Sequence, residues 1–284
     1  MKIRDMVSQD VDFVFELAAE EQWGYTKPEF ERMLELAPDG SFIAEEGGVR
    51  QGFVTTSNYG RTGSIGHLVV AKARRGKAIG RGLMRRAIEH LDSLGAESIL
   101  LNAVVDATPF YERFGFRTLK AMQIYKMSFE QRVKDDLRSC CPALEPSDLP
   151  QVLALDSALF GDDRTKVVSR LYSEFPGHAF KVEREGRLRG LALGRTTPSG
   201  SDVGPWICHP CDRALAEDLL CSLLSTLPAG TVHFAVFSDN SLALDILHGI
   251  GPGVSVDTRM MVRGEKRYVA PSDSILGIAA TEYG

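Results

Sequence analysis

The feature that most constrains this chain is that it repeats itself. The segments SQDVDFVFELA (8–18) and PSDLPQVLALD (146–156) each set an Asp just before an amphipathic helical pattern, as an N-cap would, 138 residues apart. Farther on, VVDATPFYERFGF (104–116) and SDNSLALDILHGIG (238–251) align with Ala107 on Ala243 and Gly115 on Gly251, an offset of 136. Two matches at nearly one offset describe a duplicated domain. The polar, charged segment EQRVKDDLRS lies between the copies, which gives a first domain over 1–130, a linker over 131–139 and a second domain over 140–284.

Hydrophobic periodicity then sets the fold class. The first copy reads as a strand at 1–5, helices near 10–22 and 27–36, strands near 41–46, 49–59 and 63–71, a helix near 78–94, a strand at 98–104, a short helix at 107–114 and closing strands to about 128. The second repeats the order, with strands near 179–184, 188–195 and 202–208, a helix at 212–226, a strand at 232–237 and a helix near 240–249. This is an α/β layout built on a mixed sheet, made twice in tandem.

Charge and cysteine usage exclude several functions. A net charge of −5 over 284 residues argues against a protein that wraps nucleic acid, so any basic patch is local. The start, MKIRDMVSQD, lacks the apolar stretch of a signal peptide, and no run approaches the roughly 18 apolar residues of a spanning helix. The expectation is a cytoplasmic chain without membrane association. Its five cysteines, an odd number, suit reduced thiols. Cys208-His209-Pro210-Cys211 has metal-ligand spacing, but no second pair completes a four-ligand set, so no metal is expected.

The chemistry concentrates in HLVVAKARRGKAIGRGLMRRAIEHL (67–91), a strand, a basic glycine-containing turn and an amphipathic helix with Ile79, Leu83, Ala87, Ile88 and Leu91 on one face. A helix N-terminus exposes unpaired backbone N–H groups and the positive end of the helix dipole, so a turn opening a helix binds anions. Gly76 and Gly80 would admit a phosphate close to the backbone, and Arg75, Lys77 and Arg81 add charge. A pyrophosphate cradle and a solvated helix start fit this spacing equally well.

The segment resembles the cofactor motif of the GNAT superfamily of acyl-CoA-dependent N-acyltransferases, Arg/Gln-x-x-Gly-x-Gly/Ala, in Arg75-Gly76-Lys77-Ala78-Ile79-Gly80. Ala78 stands where the first Gly is usual; an Ala keeps the N–H donor but requires an ordinary φ. ATPFYERFGF (107–116) is similar to the later A-x-x-x-Y-E-x-x-G-F segment. The resemblance implies that the pyrophosphate of acetyl-CoA sits on the N–H groups from Gly76 to Arg81. It also implies that pantetheine pairs like an extra strand with Leu68, Val69 and Val70, and that Tyr111 gives a proton to the departing thiolate. A phenol, protonated at neutral pH, suits that role. Two positions depart from the pattern. Val104 stands seven residues before the Tyr, where an Asn often touches the cofactor, and the strand before the cradle offers Ser64 and His67 where some relatives carry a Glu or His base.

The segment from Leu17 to Phe116 also resembles a two-domain bacterial and archaeal group within the superfamily, related to YitH-like proteins. The matches are Glu21-Gln22-Trp23, Glu29-Phe30-Glu31 and Asp39-Gly40-Ser41-Phe42. LFGDDR (159–164), LALGR (191–195), VGPW (203–206) and the closing ILGIAATEYG resemble that group's second domain. The first two helices usually wall the acceptor pocket, and here they meet at Glu20, Glu21, Trp23 and Tyr25, carboxylates beside aromatic faces that suit an ammonium-bearing acceptor. The same residues would serve equally as helix-end charge and an inter-helix staple.

The second copy lacks the equipment. Asp212, Glu217 and Asp218 stand where the basic turn would be, and Leu247 falls at the place of Tyr111. Arg164, Arg195 and Trp206 are its candidate pocket residues, each equally suited to packing or ion pairing. The expectation is one active site, in the first copy, with the second shaping the acceptor cleft or a homodimer surface. The reaction would carry an acetyl group from acetyl-CoA directly to a small amine. A non-catalytic acyl-CoA sensor, a protein-modifying acetyltransferase and nucleic-acid binding through the basic turn are the alternatives.

Overall fold

The computed structural model describes residues 1–129, 137, 139–265 and 272–283, with the side chain of residue 272 left aside. The chain divides into two compact units, one of Met1–Asn102 with Val262 onward at the end of the last long strand and Tyr283, the other of Ala103–Met261 with the tail up to Glu282. Most of the expected linker, residues 130–136 and 138, lies outside the described residues.

The first unit is an ordered run of β1 (Lys2–Asp5), α1 (Val11–Ala19), α2 (Lys27–Leu36), β2 (Ser41–Glu46), β3 (Val49–Asn58), β4 (Thr62–Val70), α3 (Ile79–Ser93) and β5 (Ser98–Val104). Strands β1 to β4 are antiparallel neighbours in sequence order, and β5 joins β4 in parallel through the crossover helix α3. Val14, Leu17, Phe30, Met33, Ile43, Phe53 and Val69 form one apolar cluster beneath α1 and α2, each contributing about 1.5–3 kcal/mol by leaving water. Helix α3 buries Ile79, Leu83, Ala87, Ile88 and Leu91, the face its sequence spacing predicts.

The second unit carries α4 (Thr108–Glu112), β6 (Arg117–Phe129), α5 (Leu149–Phe160), α6 (Thr165–Glu174), β7 (Ala179–Arg184), β8 (Arg187–Thr197), β9 (Gly200–Cys208), α7 (Arg213–Thr226), β10 (Gly230–Phe237), α8 (Ser241–Ile250), β11 (Gly253–Gly264) and β12 (Ile275–Gly277). Its strand order is β11-β6-β10-β9-β8-β7, with β12 added to β9. From the paired helices to the last long strand the two copies share one order of elements; the place of β1 is held by an isolated bridge, Ala143↔Phe180, and among the described residues β12 has no counterpart in the first copy. What differs from the sequence expectation is the membership of β6. A single strand of 13 residues, it pairs antiparallel with β10 from Phe129↔Gly230 to Met122↔Phe237. The end of the first copy thus packs with the second, and α4 with Tyr111 belongs to the second unit by its contacts.

The repeated Asp residues also differ from expectation in detail. Asp10 and Asp148 do not cap the helices that follow them; each ends a short 3-10 turn and reaches back, the Val7 N–H donating to Asp10 Oδ2 at 2.9 Å and the Glu145 N–H to Asp148 Oδ2 at 2.8 Å. The turn places each Asp at the third position rather than at the cap. Asp10 is fully buried between Arg4 (2.7 and 2.8 Å) and Arg50 (2.7 Å). Burial works against its charge, but the Arg4 hydrogen bonds, the Val7 N–H and Arg50 outweigh it, so the carboxyl is held below its usual range.

Candidate functional site

Strands β4 and β5 pair only from Thr62↔Ser98 to Ile65↔Leu101, although β4 runs on to Val70 and β5 to Val104. Beyond Ile65 the strands part. On its other side β4 meets β3 at Val69↔Phe53 and then at Gly66↔Thr55, so that His67 and Leu68 together face one residue of β3. This bulge re-aims the strand end. His67 and Val69 are buried, whereas Leu68 and Val70 are half-buried.

The chain leaves β4 through a 3-10 turn at Lys72–Arg74 and reaches α3 by way of Gly76 at φ +79° and Ala78 at φ +64°. Ala78 therefore does not keep the ordinary φ expected of it. It takes the left-handed conformation of the usual glycine and carries the corresponding strain, about 1–2 kcal/mol for an L-residue. Among the described residues no side chain caps α3. Among the described residues, no backbone N–H from Gly76 to Arg81 donates to an acceptor in the chain, and this run opens a helix of 15 residues. These donors and the helix dipole make a site for a polyanion.

The cations around the turn divide their work. Arg75 donates to the Val70 carbonyl at 3.0 Å through Nε and to Glu21 at 2.5 Å through Nη2. It braces the turn, contrary to a free phosphate-binding side chain. Lys72 Nζ donates to the Glu20 carbonyl at 2.9 Å. Lys77 and Arg81 are exposed, and none of the ion pairs among the described residues includes either.

The expected acceptor residues occupy the α1–α2 connection. Glu20 is exposed, and Glu21 is committed to Arg75. Trp23 is 46% exposed and stands edge-on to Tyr25 with centroids 6.4 Å apart; Tyr25 in turn meets the His67 ring at 4.3 Å, and Trp23 lies 6.2 Å from it. His67 Nδ1 is 3.1 Å from Thr55 Oγ1. The bulge thus gathers Trp23, Tyr25 and His67, which are far apart in sequence. Thr55 was not legible as a site residue, since a Thr on a strand carries no spacing signal.

Tyr111 sits on α4 among Phe110 (5.2 Å) and Phe116 (6.4 Å). This apolar surrounding desolvates the phenol and pushes it up to about 12, so it holds its proton throughout the neutral range. Among the described residues its hydroxyl has no acceptor in the chain. Val104 is 52% exposed and brings no polar group.

In the second unit the corresponding helix start is filled by the chain itself. Asp212 caps α7, accepting from the Leu215 N–H at 3.2 Å, and pairs with Arg184 at 3.2 Å. Leu247 is fully buried. Trp206 is no pocket residue. It is wholly buried in the unit's core, its Nε1 donating to the Ala216 carbonyl at 3.2 Å, because its position on β9 points inward. Arg195 is buried between Asp202 (3.1 Å) and Glu282 (2.8 Å). Arg164 is paired with Asp156 at 2.6 Å beside a narrow cleft lined by Phe160, Ile207 and Ile278. Among the described residues no three His, Cys, Asp or Glu side chains gather as metal ligands, and burial pushes the Cys211 thiol up to about 11. No described helix is long and apolar enough to cross a membrane.

Parted parallel strands beside a helix start with no side-chain cap are the local geometry of this α/β unit. The GNAT acetyltransferase family model matches residues 11–116, and a GNAT acetyltransferase domain model matches 152–277. The chain belongs to the GNAT acetyltransferase family, with two GNAT domains in tandem. It is similar to an uncharacterized N-acetyltransferase, YitH, of Bacillus subtilis, at 28% identity over 61% of this chain and 58% of that protein, so it spans less than two thirds of that relative's length. Among solved structures it resembles a putative acetyltransferase from Pyrococcus horikoshii, with a TM-score of 0.82, 21% identity and coverage of 100% and 95% of the two chains. It also resembles a tandem GNAT protein from the clavulanic acid biosynthesis pathway, with a TM-score of 0.63, 16% identity and coverage of 94% and 99%. At these identities the likeness to both structures is one of fold.

Proposed function

We propose that the chain is an acetyl-CoA-dependent N-acetyltransferase acting on a small amine. The observation that carries this reading is the unpartnered run of N–H groups from Gly76 to Arg81 beside the parted end of β4. The first would hold a pyrophosphate, and the second leaves Leu68 to Val70 able to pair with an amide-bearing arm. Bound acetyl-CoA would supply the thioester. Transfer to the amine forms a C–N bond, breaks the C–S bond and delivers one proton to the leaving sulfur. Tyr111 is suited to give that proton, because its phenol stays protonated and no group of the described chain accepts from it. Trp23 and Tyr25 would receive the amine by their ring faces. His67 is too enclosed by Tyr25, Phe30 and Thr55 to serve as a base directly, so the amine's proton would leave through water.

The test is CoA-thiol release with a panel of amines, amino acids and aminoglycosides, alongside calorimetry with acetyl-CoA. Turnover on one amine with Tyr111→Phe impaired supports the reading. Absence of acetyl-CoA affinity would remove it. Val104, which offers no polar contact, favours a second reading as an acyl-CoA sensor. Tight acetyl-CoA binding with no thiol release on any amine would select that alternative.

A further inference from the structure

The two units treat the same gap differently. In the second unit β9 and β10 are parallel and pair only from Ser201↔Val232 to Val203↔Phe234, then part, as β4 and β5 do after Ile65↔Leu101. Here the gap is filled by the chain's own β12. It lies antiparallel to β9 with Ile275 opposite Ile207 and Gly277 opposite Trp206, and on the other side the Ile278 N–H donates to the Ala235 carbonyl of β10 at 3.0 Å. The segment is hydrogen-bonded to both parted strands.

Further contacts fit the gap to a peptide. The Asn240 side-chain amide donates to the Ile275 carbonyl at 3.0 Å, reading backbone rather than side chain. Gly204 lets the segment approach, since a Cβ there would fall 1.8 Å from the Ile278 carbonyl oxygen. Leu276, Ile278, Ala279 and Ala280 are buried. Beyond them Glu282 enters the buried pair with Arg195, which Asp202 supports.

We propose that the gap between β9 and β10 is a binding site for an extended peptide strand, occupied by residues 275–280 of the same chain, and that this occupancy closes the second unit to an extended amide-bearing cofactor. The recognition is strand addition, with backbone hydrogen bonds supplying affinity and the pockets of Leu276 and Ile278 supplying selectivity. Asp212 capping α7 removes the anion site; the segment removes the arm site.

A protease site placed between residues 265 and 273 of the full chain tests this without removing the segment before folding. After cleavage, the fragment is expected to co-elute with the body and to exchange with a labelled synthetic peptide of residues 273–284. Gly204→Ala is expected to weaken that peptide's affinity at least about tenfold. A peptide with Leu276→Asp and Ile278→Asp is expected not to exchange. A cleaved, folded body that releases the fragment and binds no added peptide would overturn the proposal, as would Gly204→Ala with unchanged affinity. Calorimetry on the intact chain separates this inference from the proposed activity. Two acetyl-CoA sites per chain would contradict the closed second unit, whereas none, with peptide exchange intact, would remove only the activity.

Discussion

Arg75 and Glu21 meet at 2.5 Å, and the same guanidinium holds the Val70 carbonyl at 3.0 Å, so one side chain ties the α1–α2 connection to the end of β4. A planar fork sends these two bonds from separate nitrogens held at fixed spacing, whereas an ammonium carries its three donors on one nitrogen. Both partners keep contact with water, 49% and 20% exposed, so the pair adds under about 1 kcal/mol to stability. Its effect is on the placing of the turn. Glu21→Gln and Arg75→Lys are each expected to leave the melting temperature nearly unchanged and to raise the Kd for acetyl-CoA about fivefold, the equivalent of 1 kcal/mol. Calorimetric titration checks this, and unaltered affinity in both variants would remove the brace.

Ala78 offers a test of the cradle's backbone. At φ +64° its Cβ is strained, and a Gly would relieve that strain while making the unfolded chain more mobile. Ala78→Gly is expected to raise stability by up to about 1 kcal/mol, seen as a higher urea midpoint at constant slope. Ala78→Val, branched at Cβ, is expected to lower both the midpoint and the acetyl-CoA affinity. A Val variant as stable as the parent would show that the left-handed turn is not required.

The phenol of Tyr111 sets an expectation for pH. Burial raises it to about 12, so the protonated form that can donate persists well past pH 9. The profile of kcat is expected to show no falling alkaline limb from Tyr111 between pH 7 and about 10, the value of an unperturbed phenol. Tyr111→Phe is expected to lower kcat by about 10²–10⁴ with a small change in KM. The same shift acts on stability. The folded phenol keeps its proton where the unfolded one loses it, so its contribution is complete below the unfolded value and is lost as pH rises toward the folded one.

Asp10 governs the acid side. Its carboxyl is held below the ordinary range by Arg4, the Val7 N–H and Arg50 against the cost of burial. The contribution is complete above about pH 4 and is lost as pH falls through the lowered value. Asp10→Asn is expected to cost about 3 kcal/mol, at the low end for breaking a buried pair because Arg4 and Arg50 remain partly in water, and to flatten the acid limb of a stability–pH curve. An unchanged acid limb in the variant would locate that dependence elsewhere.

Much of this molecule is legible along the sequence. The strands at 41–46, 98–104 and 179–184 fall where alternation places them, and α3 buries the face its spacing predicts, because these patterns are local. The turn that opens α3 is legible for the same reason. A strand, a Gly-containing turn and a helix are consecutive, and their N–H groups need no distant partner. Between the two readings left open for Trp206 the structure selects packing, a choice the sequence could not make because an aromatic on a strand shows the same alternation whether its face meets a pocket or a core.

By itself the sequence determined the duplication, most of the order of elements in each copy, the Gly76–Arg81 helix start and the acidic replacement of that start at Asp212. The tertiary structure decided the rest. It paired β6 with β10, turned Arg75 toward Glu21, put Ala78 into the left-handed region and seated β12 between β9 and β10. Period and propensity say that a segment is a strand, but its hydrogen-bonding partner is chosen among every exposed edge in the molecule, and that choice is not written in any local stretch.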